Sequence, residues 1–405
     1  MKERKMSMSD SLERVVFLVD MNAFYISCEA TRHPEIIGKP AAVAGDPENR
    51  TGIVLTSNYE ARSYGIKTTM IIRDALKLCP DLVIIPPDHG FYEQKSKEVM
   101  EILCSYTPVI EQNSIDEAWL DMTGCSKIFG EPLEIAKNIM RRINEELNLW
   151  CSIGISENKF LAKMASEMKK PHGITELWKK DIKEKMWPLP VNYMYGIGKQ
   201  TSLKLKEMGI FTIGELALYD RKYLSKKFGK MGAEMSLLAN GIDTALVKGA
   251  SEDDMKSIGR STTLPKDITD IEKAKSVLLE LSDDVGMTAR RHNKKGRTVQ
   301  IAIKYSDFNS ITRQMTIPET CLVKDIYNAG VKLLEKNWSK TPVRLLGISL
   351  SGFEDGDSEQ ISLFQIDEIK YEINKNNKTE LVEDAIYKIR KKYGSSIIKP
   401  GAIIK

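Results

Sequence analysis

The sequence is poor in histidine and has no closely spaced pair of cysteines. Its 405 residues include only four histidines and six cysteines, and none of the cysteines forms a CxxC motif. So few scattered histidines leave little from which to build a histidine metal site or a nucleophile–histidine triad. The cysteine spacing argues against a zinc site and a disulfide framework, and it indicates reduced thiols in a cytosolic protein.

Long apolar runs and a strong excess of one charge are also missing. No apolar run is long enough to span a bilayer, and the opening MKERKMSMSD lacks the apolar segment of a secretory signal. We therefore expect a cytoplasmic protein with no membrane partner. The net charge is only +4, so nucleic-acid binding would depend on local basic clusters. The length predicts two to four domains.

What the sequence does contain is a pair of adjacent acids in an apolar setting. The stretch EQNSIDEAWLD, Glu111 to Asp121, places Asp116 directly before Glu117. On a regular strand their side chains would point to opposite faces. Asn113 and Ser114 are turn-forming residues and predict a hairpin just before the acids. Because a hairpin interrupts the pleat, both carboxylates could then converge on one ligand.

A third acid, Asp20, follows the apolar run Val15–Val19, which predicts a buried strand. Such an acid is either a ligand or the N-cap of the next helix, and on its own the N-cap is the better interpretation. If the two strands are neighbours, Asp20 joins Asp116 and Glu117. Three carboxylates at strand ends suit Mg²⁺. Two such ions about 3.5–4 Å apart commonly support in-line displacement at phosphorus.

The order of elements predicts an α+β protein with more than one domain. Strands and helices alternate in the first part without strict βαβ order. From Leu177 to about Ala250 the pattern is helical, and the polar, acidic GASEDDMKS that follows predicts a linker. Beyond it, TVQIAIKYSDF and VRLLGISLSGF alternate like half-buried strands, and the residues after Phe353 predict a tail.

Five strings together resemble the Y family of translesion DNA polymerases across nearly the whole chain. They are VDMNAFYISCE, TSNYEARSYGI, SIDEAWLD, GISENKFLAKMASEMKKPHGI and YGIGKQTSLKLKEMGI, and they occur in the family's order. Each string alone is weak, but the set is specific. The resemblance implies an error-prone lesion-bypass polymerase that adds deoxynucleotides to a primer 3′ end, with two Mg²⁺ ions and no proofreading. Its implied partners are primer–template DNA, deoxynucleoside triphosphates and a sliding clamp, and we expect a monomer.

The resemblance also implies a right-hand architecture. Its expected parts are a palm at 1–22 and 88–177, small fingers at 23–87, a helical thumb with a helix-hairpin-helix at 178–248, a linker at 249–257, an α/β little finger at 258–354 and a tail at 355–405.

Several site residues follow from the resemblance. Asp20 and Asp116 would bridge both metal ions, Glu117 would hold the catalytic ion, and the Met21 carbonyl would touch the nucleotide-side ion. One departure concerns the branch of the family. Where Asn22 stands, the DNA polymerase IV-like branch usually has a second Asp, and DMNAFYISCE instead resembles the UmuC-like branch.

The nucleotide would be bound by residues of the first two motifs and by one lysine. Tyr59, Arg62 and Lys170 would hold the triphosphate, because cationic forks and point charges suit phosphate, and Thr56 would add a hydroxyl. Tyr25 would be the sugar gate, a ring beneath C2′ that leaves no room for a 2′-hydroxyl. Judged without the resemblance, Tyr25 is better interpreted as core packing.

Three further sets of residues are candidate contacts to DNA or to a partner. The YGIGK hairpin offers Gly196, Gly198 and Lys199, with both glycines expected to permit a positive-φ turn near phosphate. The basic cluster of the little finger offers Arg290, Arg291, Lys294, Lys295 and Arg297. In EQISLFQ, Gln360, Leu363 and Phe364 resemble a clamp-binding peptide. Past it, the apolar stripe from Val382 to Tyr393 predicts an amphipathic helix that docks on a surface either of this chain or of a partner.

Two other functions compete with the polymerase hypothesis. A catalytically silent, polymerase-like module that recruits partners through the clamp would be expected to lack the acids, and all three are present. A nucleotide cyclase with a similar palm is argued against by the hairpin, the clamp-like peptide and the basic cluster.

Overall fold

The structure is a computed structural model that describes residues 14–46, 52–249, 255–339, 341–353, 366–394, 397–398 and 401, with the backbone alone for 366–378. The chain forms two compact units, of which the first extends to Ser251 and the second begins at Glu252. This division falls inside the predicted linker. The finer division into palm, fingers and thumb stays a prediction. Within the described part, no helix is both long and apolar enough to cross a membrane.

A five-stranded sheet forms the core of the first unit. Its strands, in spatial order, are β5 (Ile110–Gln112), β6 (Glu117–Asp121), β1 (Val16–Met21), β7 (Cys151–Ser156) and β8 (Ile174–Glu176). Strand β1 is buried along its whole length and pairs antiparallel with both β6 and β7. The hairpin between β5 and β6 is confirmed, because the amides of Asn113 and Ser114 both donate to the Glu117 carbonyl.

Helices cover this sheet. They are α1 (Phe24–Arg32), α4 (His89–Cys104), α5 (Ser126–Phe129), α6 (Pro132–Leu147) and α7 (Lys159–Met168). Helix α7 lies directly on β1 and β7. Gly154 makes this close approach possible, because a Cβ at that position would collide with the Ala162 carbonyl oxygen of α7. The missing side chain in β7 therefore sets how near α7 comes to the sheet.

A small three-stranded sheet belongs to the same unit. It has the order β3 (Val54–Ser57), β2 (Ala41–Ala44) and β4 (Val83–Ile85), accompanied by α2 (Tyr59–Ser63) and α3 (Ile72–Leu78). Asn58 begins α2, since its side chain accepts from the Ala61 amide. The same oxygen accepts from the Ala41 amide of β2. Asn58 thus ties the NYEAR segment to the small sheet and fixes where its side chains begin.

The helical part predicted after Leu177 is confirmed. It contains α8 (Ile182–Lys185), α9 (Lys199–Glu207), α10 (Ile213–Leu218), α11 (Arg221–Phe228) and α12 (Lys230–Ala239), and short 3-10 helices occur at Pro34–Ile36, Lys179–Asp181 and Val191–Tyr193. The prediction for the glycines of YGIGK is half right. Gly196 has φ +88, but Gly198 is extended at φ −78 and is the N-cap of α9.

The second unit packs helices on one antiparallel sheet. The sheet order is β11 (Ser310–Thr320), β10 (Gly296–Tyr305), β12 (Val343–Ser351) and β9 (Ser257–Ile268), and the helices are α13 (Ile271–Arg291), α14 (Val323–Lys336) and α15 (Ile366–Tyr393). The core lies between the sheet and helices α13 and α14.

All six cysteines are free thiols, as their spacing predicts.

The docking surface of the C-terminal helix is this chain's own second unit. Arg390 of α15 donates to Asp283 of α13, with 2.7 Å between Nη1 and Oδ2. Glu383 of α15 pairs with Arg290 at the end of α13, and it also accepts from the Val323 amide at the start of α14. One face of α15 is therefore held by ion pairs to α13 and by a hydrogen bond from the first residue of α14.

Candidate active site

The three predicted acids lie at one edge of the five-stranded sheet. Asp20 of β1 is the register partner of Glu117 of β6. The Met21 amide donates to the Asp116 carbonyl over 2.9 Å, so the backbone of Asp116 is fixed beside the end of β1. The alternative interpretation of Asp20 as a helix N-cap is wrong, because α1 begins after Ala23, which makes no side-chain cap.

Among the described residues, the group of acids close enough together to hold a metal ion differs from the predicted triad. Ligand oxygens of Asp20, Glu117 and Glu167 lie within 4.8 Å of one another. The Asp116 carboxylate instead accepts a hydrogen bond from the Ser114 hydroxyl. Sequence reasoning missed Glu167, although it lies inside one of the five motif strings. Three oxygen donors with no softer ligand suit a hard divalent cation.

Two lysines neutralise this group. Lys163 Nζ lies 3.0 Å from Asp20 Oδ2, 2.6 Å from Glu117 Oε1 and 2.8 Å from Glu167 Oε1. Lys170 Nζ lies 2.7 Å from the same Asp20 oxygen and 2.8 Å from Glu167 Oε1. Sequence reasoning assigned Lys170 to the triphosphate and did not identify Lys163.

Burial and these lysines act on the acids in opposite directions. Burial raises the pKa of Asp20 to about 6, and the charges of Lys170 and Lys163 limit that rise. Burial also acts to raise the pKa of Glu117, but the hydrogen bond and charge of Lys163 outweigh it and hold that pKa below its ordinary value. Of these two acids, Asp20 has the raised pKa and therefore takes up a proton more readily than Glu117 as the pH falls.

The proposed triphosphate residues are near each other. The Arg62 guanidinium lies 4.8 Å from the centre of the Tyr59 ring, and its Nε donates to the Ser57 carbonyl. Arg62 is exposed, whereas Thr56 and Tyr59 are half-buried. Burial raises the pKa of the Tyr59 phenol, and the positive charges of Arg62 and Lys170 oppose that rise.

Tyr25 packs against aromatic neighbours on one side. Its ring stacks on Tyr92, with 4.3 Å between centroids and 14° between planes, and His89 meets it edge-on at 5.8 Å. Burial raises the pKa of the Tyr25 phenol, and the Asp116 carboxylate adds to the rise. Tyr25 thus lies within electrostatic reach of the acidic edge, and the ring is only half-buried.

Asn22 has a positioning role in this fold. Its Nδ2 donates to Ser152 Oγ over 3.0 Å, and its Oδ1 accepts from the His172 amide over 2.9 Å. An aspartate would lack the amide donor to Ser152. Asn22 therefore links the end of β1 to the segment that carries Lys170. It also lines a cavity of about 490 Å³ together with Tyr59 and Trp150.

The candidate DNA contacts differ in how available they are. Lys199 is exposed at the start of α9, where Gly198 supplies no side-chain cap. Arg290 is only 8% exposed and pairs with both Glu383 and Asp384. Its guanidinium is therefore already engaged by two acids of α15, and the phosphate contact of Arg290 stays a prediction.

The rest of the basic cluster has more exposure. Lys295 Nζ lies 3.0 Å from Glu380 Oε1, and Arg297 lies 3.7 Å from Glu319, but both pairs are partly open to solvent. Arg291 is exposed and Lys294 is half-buried. The clamp-like residues Gln360, Leu363 and Phe364 lie outside the described residues.

Comparison with known proteins gives concordant matches. Residues 19–167 match the impB/mucB/samB family, and residues 255–363 match the C-terminal domain of that family. The chain is 67% identical over 396 residues to DNA polymerase IV of Clostridium kluyveri, which covers 97% of this chain and 99% of that relative. It is 56% identical over 393 residues to DNA polymerase IV of Alkaliphilus oremlandii, covering 96% and 99%.

A solved structure agrees with these relatives. A Y-family DNA polymerase chimera has a TM-score of 0.74 at 26% identity, and the match covers 84% of this chain and 99% of that chain. Fold, acidic edge and relatives together define the class of protein, a DNA-directed DNA polymerase. The chain belongs to the Y family of translesion DNA polymerases, the impB/mucB/samB family. The relatives' name favours the DNA polymerase IV branch over the UmuC-like branch that Asn22 indicated.

Proposed function

We propose that this protein extends primer 3′ ends across damaged template DNA by two-metal phosphoryl transfer and does not proofread. The observation that carries this is the register of β1 and β6, which places Asp20 opposite Glu117 with Asp116 fixed beside the same strand end. Strand pairing therefore determines where Asp20 and Glu117 meet, whereas Asp116 is held in the turn just before β6.

Three carboxylates and one carbonyl would hold the metal ions. The oxygen-only donor set and the burial of Asp20 fit hard divalent ions such as Mg²⁺. Asp20 and Asp116 would bridge two ions, Glu117 would hold one, and the Met21 carbonyl would contact the nucleotide-side ion. When bound, such ions polarise the phosphoryl group and assist the attacking 3′-hydroxyl. The protein's own part is to keep the carboxylates aligned through β1 and β6.

The nucleotide would be oriented by residues around the acidic edge. Arg62 offers a planar fork to phosphate oxygens, and Tyr59 and Thr56 offer hydroxyls. Lys170 reaches Asp20 Oδ2 over 2.7 Å, so its ammonium could exchange this carboxylate for a phosphate at almost the same position. The half-buried Tyr25 would exclude a 2′-hydroxyl by occupying the space beneath the sugar.

DNA and partner binding would use the remaining candidates. Gly196, Gly198 and Lys199 would contact backbone phosphate through amides and one charge. In the second unit, Arg291, Lys294, Lys295 and Arg297 would add sequence-independent phosphate contacts. Gln360, Leu363 and Phe364 would bind a sliding clamp. We propose that the protein acts as a monomer in the cytoplasm.

Primer extension tests this function directly. We expect Asp116→Ala or Glu117→Ala to abolish incorporation on undamaged and damaged templates, because either change removes a proposed metal ligand. Primer–template binding should stay near the parent level, since other residues supply most DNA contacts. Asp121→Asn, at the far end of β6, is the matched control and should retain activity.

The outcome that contradicts the metal assignment is quantitative. Incorporation by the alanine variants within about tenfold of the parent would correspond to a loss of only ~1.4 kcal/mol in transition-state stabilisation. Such a small loss would mean that neither acid serves the chemistry. Cyclic-nucleotide formation without extension would instead favour the cyclase, and clamp binding without extension would favour the silent module.

A further inference from the structure

Lys163 is the buried cation at the centre of the acidic edge. It lies on α7, its side chain is only 8% exposed, and its Nζ contacts one oxygen each of Asp20, Glu117 and Glu167. An ammonium group has three donors. The three carboxylate contacts therefore use its whole hydrogen-bonding capacity.

This arrangement separates Lys163 from its neighbour Lys170. Lys170 is 24% exposed and contacts Asp20 and Glu167. It has the access that a nucleotide contact needs. Lys163 is enclosed by acids and has no donor left for a phosphate. Its contacts indicate a role toward the carboxylates rather than toward the substrate.

The acids need such a partner. Buried carboxylates without compensating charge are costly, and removing one member of a buried ion pair leaves the other uncompensated. Asp20 and Glu117 are brought together by strand pairing, so they cannot relax away from each other without disturbing the sheet. Without a metal ion, a cation between them is what allows both acids to stay charged.

We propose that Lys163 is the resident counter-cation of the acidic edge, which holds Asp20 and Glu117 together in the metal-free protein and competes with the incoming divalent ion for their oxygens. This inference rests on the proposed metal role of those acids. It makes Lys163 a positioning residue. It also means that Mg²⁺ alone binds more weakly than the same carboxylates would bind it without the lysine.

A purely structural role for Lys163 predicts a different effect of its replacement. If Lys163 only anchored α7 to the sheet, replacing it would lower stability by the same amount with and without Mg²⁺. Competition instead gives two effects of opposite sign. The metal-free protein loses stability, because the acids lose their cation, whereas Mg²⁺ binding becomes tighter, because the ion no longer displaces an ammonium group.

Thermal unfolding of the full chain measures both effects without nucleotide, DNA or turnover. Lys163→Gln is compared with the parent in EDTA and in a MgCl₂ titration at constant ionic strength. In EDTA we expect the Tm of the transition of the first unit to fall by about 5 °C. The Mg²⁺ concentration for half-maximal stabilisation should fall about tenfold, equivalent to ~1.4 kcal/mol. An unchanged Mg²⁺ midpoint with equal Tm losses in both buffers would overturn the proposal.

Two control variants sharpen the result. Lys159 lies one turn earlier on α7 and pairs with Glu111 at 2.6 Å, away from the proposed ligands. Lys159→Gln should therefore lower the Tm without moving the Mg²⁺ midpoint. Lys163→Arg keeps the charge and should keep the parent midpoint. A Lys163→Arg protein that binds Mg²⁺ as tightly as Lys163→Gln would contradict competition by charge.

The remaining outcomes are also decisive. If Lys163→Gln is unfolded in EDTA, Mg²⁺ should restore its circular dichroism spectrum, and failure to do so would count against the proposal. If Mg²⁺ stabilises neither the parent nor Lys163→Gln, the proposed metal assignment fails and this inference falls with it. A parent that responds to Mg²⁺ and a variant with the same midpoint would reject the inference alone.

Discussion

Tyr25 has one ring face on Tyr92 and its phenol within electrostatic reach of Asp116. Both earlier interpretations of this residue, packing and sugar gate, are compatible with that placement, because a gate needs a rigid ring. Stacking on Tyr92 restricts the ring to one orientation. A ring that cannot swing aside would exclude a 2′-hydroxyl more strictly than a mobile one.

We expect Tyr25→Ala to increase ribonucleotide incorporation by about two orders of magnitude relative to deoxynucleotides, equivalent to ~2.7 kcal/mol of lost discrimination. Single-nucleotide incorporation with matched ribo- and deoxynucleoside triphosphates measures the ratio. Tyr25→Phe keeps the stacked ring and should keep the parent's discrimination. A Tyr25→Ala enzyme that still rejects ribonucleotides like the parent would show that the ring only packs.

The sequence predicted the acids of the site but did not predict that lysines pair with them. Asp20, Asp116 and Glu117 stand at strand ends, which a short sequence window reveals. Lys163 is 143 positions from Asp20 in the chain, and the only one of its acid partners that is near it in sequence is Glu167, one turn further along α7. Its role becomes visible only when α7 is placed on β1, because contacts between distant segments depend on packing rather than on local pattern.

Helix α15 could be predicted from the sequence, but the contacts that hold it could not. The apolar stripe correctly predicted a helix that ends at Gly394, but it did not predict the contacts that hold it. Those contacts are ionic: Arg390 with Asp283, and Arg290 with Glu383 and Asp384. The sequence pattern gave no sign that the basic cluster of the little finger and the acids of the tail are partners. In the fold, Arg290 and Lys295 of that cluster pair with acids of α15.

The α15 contacts predict a difference between two neighbouring acids. Glu383 is 14% exposed and serves both Arg290 and the Val323 amide, so Glu383→Gln should destabilise the second unit by about 3 kcal/mol. Glu380 pairs with Lys295 near solvent, so Glu380→Gln should cost about 0.5 kcal/mol or less. Denaturant unfolding and limited proteolysis after α15 would measure the two changes. Equal losses would mean that the buried pair does not hold the helix.

The whole molecule consists of two units, each with its own core. The proposed metal ligands all belong to the first unit. The second unit holds most of the candidate basic contacts and the docked α15. Because a ligand stabilises only the structure to which it binds, the two units should respond differently to Mg²⁺ and to changes in the tail.

Calorimetry can test this independence. We expect two unfolding transitions, of which Mg²⁺ raises only one and Glu383→Gln lowers only the other. Asp116→Ala should abolish the Mg²⁺ shift while leaving the second transition in place. A single transition that moves as a whole under both treatments would show that the units unfold cooperatively.

The close approach of α7 to the sheet also limits which mutations at the Gly154 codon preserve function. Every missense change of the Gly154 codon adds at least a Cβ, and that atom would meet the Ala162 carbonyl of α7. No allele encoding another amino acid at this codon leaves the helix where Lys163 reaches the acids. Null alleles of the gene should therefore arise at a codon for a residue with no chemical function, alongside those that alter the carboxylates.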